Sequence, residues 1–274
     1  MNSSQAQKIF KAASVTHYYA SIFFPKRIRN DVIKFYAFVR IADDLAENTK
    51  TKEEYDEFRD SYFRARQGEK VVNTLVSDYV SVEKKRFIPN EYMDAFFSSM
   101  DADKKKYQYE DFKELDKYIY GSAEVIGLVL TKIMQLSDNS YEFAQKLGYA
   151  YQYANFIRDI DEDRRMGRTY IPIEEFQKFG IDYHKVPKTE DQKKQFKKFL
   201  RAQIERYRVI TKEAEKGFHF IPWRMRLPIK ASTRMYNWTM DKIYQDPMIV
   251  YKKKVKPTKN RVIFSVFESL FSLS

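Results

Sequence analysis

Cysteine is absent from the 274 residues, which excludes disulfides and cysteine-based zinc or redox sites. A reducing compartment is compatible with that. Glycine and proline are scarce, at 7 and 8 residues, against about 7% and 5% in average usage. So few turn-makers favour long helices over many short strands. The glycine-rich loops that cradle phosphates in nucleotide-binding folds are missing too. No apolar run is long enough to span a membrane. The longest charge-poor stretch, 12–25, is short and is interrupted by Thr16, His17, Tyr18 and Tyr19. No clean apolar segment leads to a small-residue cleavage site at the N-terminus. These absences lead us to expect a cytoplasmic protein, soluble or peripheral at the inner membrane surface.

What is present is aromatic, basic and helical. Tyrosine and phenylalanine number 21 and 22, and aromatic residues reach 16%, which is unlike a disordered chain. The net charge is +12 and suggests an anionic partner: nucleic acid, a membrane surface or a phosphorylated substrate. The lysine runs at 104–106 and 185–198 read as solvated surface, because no nucleic-acid recognition motif accompanies them. Helical periodicity predicts helices near 5–20, 27–48, 51–66, 70–84, 90–102, 110–135, 139–165, 191–217, 224–245 and 260–272. The stretch 166–190 holds Gly167, Pro172, Gly180 and Pro187 and reads as a loop with one short helix around 174–178. No linker divides the chain, so one domain over 1–274 is expected.

Two stripes stand out on these helices. In FYAFVRIADDLAE, spacings of 4, 3 and 4 place Tyr36, Arg40, Asp43 and Glu47 on one face, with Asp44 beside them. In LGYAYQYANFIRDIDEDRR, spacings of 3, 4 and 4 do the same for Gln152, Asn155, Asp159 and Asp163. A solvated face would show the same spacing. The amides Gln152 and Asn155, however, lie in the most apolar part of their helix and need partners there. Two such helices facing each other would enclose four or more carboxylates, which repel unless cations neutralise them. Hard oxygen ligands select Mg²⁺, with Mn²⁺ as the alternative. Mg²⁺ commonly bridges carboxylates to substrate phosphates. Aromatic faces can stabilise a carbocation and line a long apolar pocket. An anionic head with an apolar tail describes a prenyl diphosphate.

At these residues the chain resembles the squalene/phytoene synthase family, the head-to-head (1′–1) prenyl synthases. The matching blocks are HYYASIFFPKRIRNDVIKFYAFVRIADDLAE (17–47), YIYGSAEVIGLVL (118–130) and LGYAYQYANFIRDIDEDRRMGRTYIP (147–172). A weaker one is MYNWTMDKIYQDPMIVYKKKV (235–255). The order Q-x-x-N-x-x-R-D-x-x-x-D followed by R-x-G-R-x-Y-x-P is the most specific part.

The resemblance implies an all-α, class I isoprenoid synthase bundle around a central cavity. It implies Mg²⁺ held by Asp43, Asp44 and Glu47 on one side and by Asp159 and Asp163 on the other. Arg40 and Arg158 would contact diphosphate or brace the carboxylates, and Gln152 and Asn155 would line the cavity. Tyr36 and Tyr120 would face the reacting centre, with plain core packing as the alternative for each. His17 and Tyr236 would contribute to substrate binding. Two positions depart from the family pattern: Glu47 stands where Asp is usual, and Glu124 interrupts the small-residue pattern G-x-A-G-x-V-G.

The reaction implied joins two prenyl diphosphates through a cyclopropyl diphosphate. The block 168–172 followed by Phe179-Gly180 looks most like prokaryotic phytoene synthases, which points to two C20 geranylgeranyl diphosphates and phytoene. The alternative is a C15 user making squalene, presqualene diphosphate or dehydrosqualene, with NADPH needed only for squalene. A further alternative is a non-catalytic assembly factor, which would be expected to lose its acidic motifs. Phe264, Phe267, Leu270 and Phe271 fall at helical spacing. Contact of 262–273 with anionic lipid is therefore expected as much as docking on the protein's own core.

Overall fold

The computed structural model describes residues 4–13, 18, 21–47, 52–104, 108–258 and 261. Among these the secondary structure is helical throughout, with no strand. The helices are α1 (Ser4–Ala13), α2 (Lys26–Glu47), α3 (Lys52–Arg66), α4 (Thr74–Arg86), α5 (Asn90–Asp103) and α6 (Phe112–Ile119). A π-turn, Tyr120–Glu124, leads from α6 into α7 (Val125–Met134). There follow α8 (Tyr141–Arg158), α9 (Ile160–Arg165), α10 (Ile173–Lys178), α11 (Glu190–Glu215) and α12 (Trp223–Gln245).

The helix ends follow local chemistry. Asn73 accepts from the amides of Leu75 and Val76, so α4 starts at 74 and not at the expected 70. Asp111 caps α6. Thr189 and Gln192 form a reciprocal capping box at the start of α11. Glycine is so scarce that two helices end on other residues in the left-handed region, Phe87 at φ 52° and Gln135 at φ 58°, a conformation that costs about 1 kcal/mol or more without glycine.

Two of the expected continuous helices are interrupted. The expected helix over 110–135 contains the π-turn. The expected helix over 139–165 kinks at Asp159, whose backbone leaves helical values (φ −98°, ψ 11°) while its amide still bonds to the Asn155 carbonyl. The short helix expected near 174–178 is present as α10. The expected helix over 260–272 lies outside the described residues.

Two cores support the bundle. The first joins α1 to α5 and α7 through Phe35, Phe38, Tyr62, Tyr79 and Phe97. The second joins α6, α8 and α10 to α12 through Tyr153, Ile157, Phe199, Ile204 and Tyr207. Asp31 and Arg86, both about 5% exposed, form a buried ion pair, with Arg86 Nε 2.7 Å from Asp31 Oδ2. Lys85 Nζ approaches the same carboxylate at 2.9 Å. Unpaired, either charge would be costly, so the pair fixes α2 against α4. The face of α2 turned away from α4 is then free to line a cavity.

Candidate active site

That cavity, about 720 Å³, lies between α2, α8, α9 and α12. Tyr36, Arg40, Asp43 and Glu47 line it from α2, Gln152, Asn155 and Arg158 from α8, and Asp159 from the kink that follows α8. Asp163 comes from α9 and Tyr236 from α12. The two sequence stripes thus meet across one space. Asp44 sits at the rim, 46% exposed at its side chain and gripped by the Arg40 guanidinium, which also reaches Asp43 Oδ2 at 3.2 Å. Arg158 holds Asp159 with two hydrogen bonds, at 2.9 and 2.6 Å. Both arginines brace carboxylates.

Tyr120 does not join the site. The extra residue accommodated by the π-turn rotates the segment so that Tyr118 and Ser122 line the cavity, and Tyr120 is left 36% exposed. His17 lies outside the described residues. Glu124, the second departure, also stays out of the cavity: Gln145 Nε2 donates to its carboxylate at 3.2 Å. Its backbone lies against Gly148, where an added Cβ would meet the Glu124 Cα at 3.2 Å. The close approach of the two backbones here is made by Gly148 on the facing helix.

Aromatic rings form the wall. Tyr36 stacks on Phe10 at 4.1 Å. Tyr170 stacks on Phe156 at 4.4 Å and lies 5.4 Å from Tyr118. Tyr236 stacks on Tyr151 at 4.3 Å and is hydrogen-bonded to Asn155. Asn155 Nδ2 donates to Gln152 Oε1 at 3.4 Å.

Sequence reasoning missed several contributors, among them Lys254, Asp103, Arg168 and Ser122. Lys254, from the segment after α12, reaches Asp159 Oδ1 at 3.1 Å and Glu162 Oε2 at 2.5 Å. Nothing in the run of lysines 252–254 marks which one turns inward. Asp103, 6% exposed, accepts from Tyr170 at 2.7 Å and pairs with Arg168 at 3.6 Å. Its position at the end of α5 gives no periodic signal. Arg168 Nε and Ser122 Oγ are buried and have no hydrogen-bond partner, and both residues line the cavity.

The carboxylates titrate unequally. Burial, then repulsion from Asp159, pushes Asp163 up to about 8. Burial and the neighbouring Glu47 raise Asp43. Burial raises Glu47 against the pull of Arg40. Asp159 goes the other way: burial alone would raise it, but Arg158 and Lys254 hold it below the ordinary carboxylate range. The site therefore concentrates more negative charge than its own cations neutralise. Asp43, Asp44 and Glu47 each offer an oxygen, all within 4.8 Å of one another. This all-oxygen donor set fits a hard divalent cation, and the orphaned Arg168 Nε fits an anion beside it.

The sign of the consequence is fixed. Acids raised in the folded state bind more protons there than in the unfolded chain, so stability falls as pH rises through their folded values. Without divalent cation, the melting temperature should drop by roughly 5 °C between pH 6 and pH 8.5. Glu83, buried and pushed up to about 7, contributes with the same sign. Asp163→Asn should flatten only the part belonging to the site. Mg²⁺ with pyrophosphate should stabilise more at pH 8.5 than at pH 6. A flat profile in scanning calorimetry would mean that these acids ionise normally.

The cavity does not end at the carboxylates. Tyr36, Val39, Ile126 and Ser232 line both it and an apolar arm of about 300 Å³. The arm runs past Phe24, Leu130, Met134, Leu147 and Phe218. Gly127 and Gly148 line it, the first bringing α7 and the second the π-turn into backbone contact with α8.

Comparison with known proteins agrees with this geometry. A family model described as squalene/phytoene synthase matches residues 10–261. A chloroplastic phytoene synthase of Daucus carota is 33% identical over 174 residues, 61% of this chain and 44% of that protein. One from an Oncidium hybrid cultivar is 31% identical over 176 residues, 61% of this chain and 42% of that protein. The chain thus matches less than half the length of these curated relatives. A crystal structure of a dehydrosqualene synthase with a ligand aligns with a TM-score of 0.88 at 23% identity, covering 99% of this chain and 96% of that one. A squalene synthase from Alicyclobacillus acidocaldarius aligns with a TM-score of 0.77 at 20% identity, covering 89% and 93%. These two likenesses establish the fold, an all-α isoprenoid synthase bundle.

Proposed function

From the premise that the chain belongs to the squalene/phytoene synthase family, we propose that it joins two geranylgeranyl diphosphates head to head to give phytoene. One observation carries this reading: an acid-lined cavity that shares a wall with an apolar one, which suits an anionic head and a hydrocarbon tail in one molecule. The curated relatives with the matching sequence are phytoene synthases, which favours C20.

The residues divide the work. Asp43, Asp44 and Glu47 would hold Mg²⁺ on one wall, and Asp159 and Asp163 on the other. Bound there, Mg²⁺ offsets the charge of the diphosphate and makes it a better leaving group. Arg40 and Arg158 keep the carboxylates aimed into the cavity, and Lys254 and Arg168 supply positive charge to the head group. The first diphosphate leaves its allylic carbon. That carbon bonds to the 2,3 double bond of the second molecule, and loss of a proton closes a cyclopropane. Loss of the second diphosphate, rearrangement and a final proton loss give the triene centre of phytoene. The faces of Tyr36, Tyr118, Phe156, Tyr170 and Tyr236 stabilise the cationic stages and exclude water that would quench them. The two released diphosphates accept the two protons.

A C15 donor is the second reading, because the apolar arm, at about 300 Å³, is at the small end of ligand pockets. Purified protein with Mg²⁺ and radiolabelled C15 or C20 diphosphate, with and without NADPH, decides between them on chromatography of the extracted lipid. A C40 product indifferent to NADPH is expected. A C30 product would move the assignment to the C15 reading, with NADPH dependence separating squalene from dehydrosqualene. No product from folded protein would favour a non-catalytic assembly factor.

A further inference from the structure

The acid-lined cavity lies at one end of the internal space. At the other end, Ser21, Phe24, Ile221, Pro228 and Ile229 form the wall of the apolar arm. The outer side of that wall is unlike the rest of the surface. It is built from residues 21–30 and 216–230, and neither segment contains Asp or Glu. The segments are neighbours: the 3-10 turn Ser21–Phe23 packs against α12, and Phe24 and Ile28 pack on the cluster of Met134, Phe218, Ile221 and Met225.

They carry Lys26, Arg27 and Arg29 on α2 and Arg224, Arg226 and Lys230 on α12. The positive charge is crowded enough that partial burial, with Arg226 and Arg234 nearby, holds Lys230 below its ordinary value. The acids around the rim do not cancel it. Asp31 is buried with Arg86 and Glu213 is paired with Lys216; Glu215 faces Lys230 and Arg234 at one edge, and Asp138 lies on the turn packed against 216–220 at another. On the same segments two large apolar side chains stand in water, Ile22 at 52% and Trp223 at 58% exposed.

We propose that this face docks on an anionic lipid bilayer. Three independent features agree. The charge suits acidic headgroups. An indole and an aliphatic chain beside cations suit the interface between headgroups and acyl chains. The wall behind them belongs to the apolar arm, so docking sets the hydrocarbon end of the cavity toward lipid and the acidic end toward water. A nucleic acid would answer the charge, but not Ile22 and Trp223 backed by an apolar cavity.

The binding test uses the full chain and vesicles alone, so its result stands whether or not the catalytic reading holds. Protein is sedimented with sucrose-loaded vesicles of phosphatidylcholine, or of phosphatidylcholine mixed equally with phosphatidylglycerol, at physiological salt. The wild type should pellet with the mixed vesicles and not with the neutral ones, and its tryptophan emission should shift to the blue. Arg27→Glu with Arg224→Glu should weaken partitioning by about tenfold or more. Trp223→Ala should weaken it by roughly fivefold and remove the blue shift. All these positions are exposed, so circular dichroism and melting temperature should match the wild type. Three outcomes overturn the proposal: no binding to mixed vesicles, equal binding to neutral ones, or variants that bind as the wild type does. The last would assign docking to another part of the chain, including 262–273, which every variant retains. Single-stranded RNA bound by the wild type and lost in the same variants, without vesicle binding, would make the face a nucleic-acid surface instead.

Discussion

Replacing Asp159 by alanine is expected to lower prenyl condensation by roughly a thousandfold or more while the fold survives. Asp159 is the carboxylate that Arg158 and Lys254 keep ionised, so it is ready to accept a divalent cation at any pH near neutrality. Its removal takes a ligand from the site and leaves Arg158 and Lys254 without their shared partner. It opens no hole in the core, because the side chain faces the cavity. The variant should keep its helical circular dichroism and melt within a few degrees of the wild type. Asp159→Asn should lose nearly as much turnover, since an amide keeps the shape and removes the charge. Asp44→Ala should lose less, because Asp44 sits at the exposed rim. Unchanged turnover in Asp159→Ala, measured over a Mg²⁺ titration, would remove Asp159 from the metal assignment.

Gly148→Val is expected to destabilise the protein by roughly 2–4 kcal/mol, a fall in melting temperature of about 5–10 °C. An added Cβ at 148 would lie 2.5 Å from the Ala123 carbonyl oxygen and 3.0 Å from its carbon. Those are backbone atoms of the π-turn and cannot swing aside as a side chain could. The two helices must separate, and Gly148 also lines the apolar arm, so the distortion reaches the site. Chemical denaturation at fixed Mg²⁺ checks the magnitude. A loss below about 1 kcal/mol would mean that the π-turn yields easily.

Much of this site is legible in the linear chain because helices convert spacing into position. Tyr36, Arg40, Asp43 and Glu47 share a face by arithmetic alone, as do Gln152, Asn155, Asp159 and Asp163, and all eight line one cavity. The kink at Asp159 does not spoil the second stripe, because the amides of Asp159 and Asp163 still bond four residues back, to Asn155 and Asp159. What was not legible lies where that arithmetic stops. Tyr120 was misplaced because a π-turn leaves no mark in the order of apolar residues. Lys254 was missed because it follows the last long helix, where no periodicity aims a side chain. Asp103 sits at a helix end and meets Arg168 and Tyr170 only through the tertiary fold. The close approach of Gly148 to the backbone at 123–124 required knowing which two segments touch.

The π-turn at 120–124 also bears on how this wall tolerates change. Each helical residue turns the chain by about 100°, and the wider turn absorbs one residue beyond α-helical register. Side chains within α6 can be exchanged for others of similar size without moving Tyr118 away from the cavity. Deleting one residue within 120–124 returns the turn to α-helical register and leaves α6 and α7 in place, whereas a deletion inside either regular helix must rotate one side relative to the other by about 100°. The π-turn is therefore a place in this wall where the count of residues can fall by one while both flanking helices keep their faces, and the loss is confined to the side chains inside the turn.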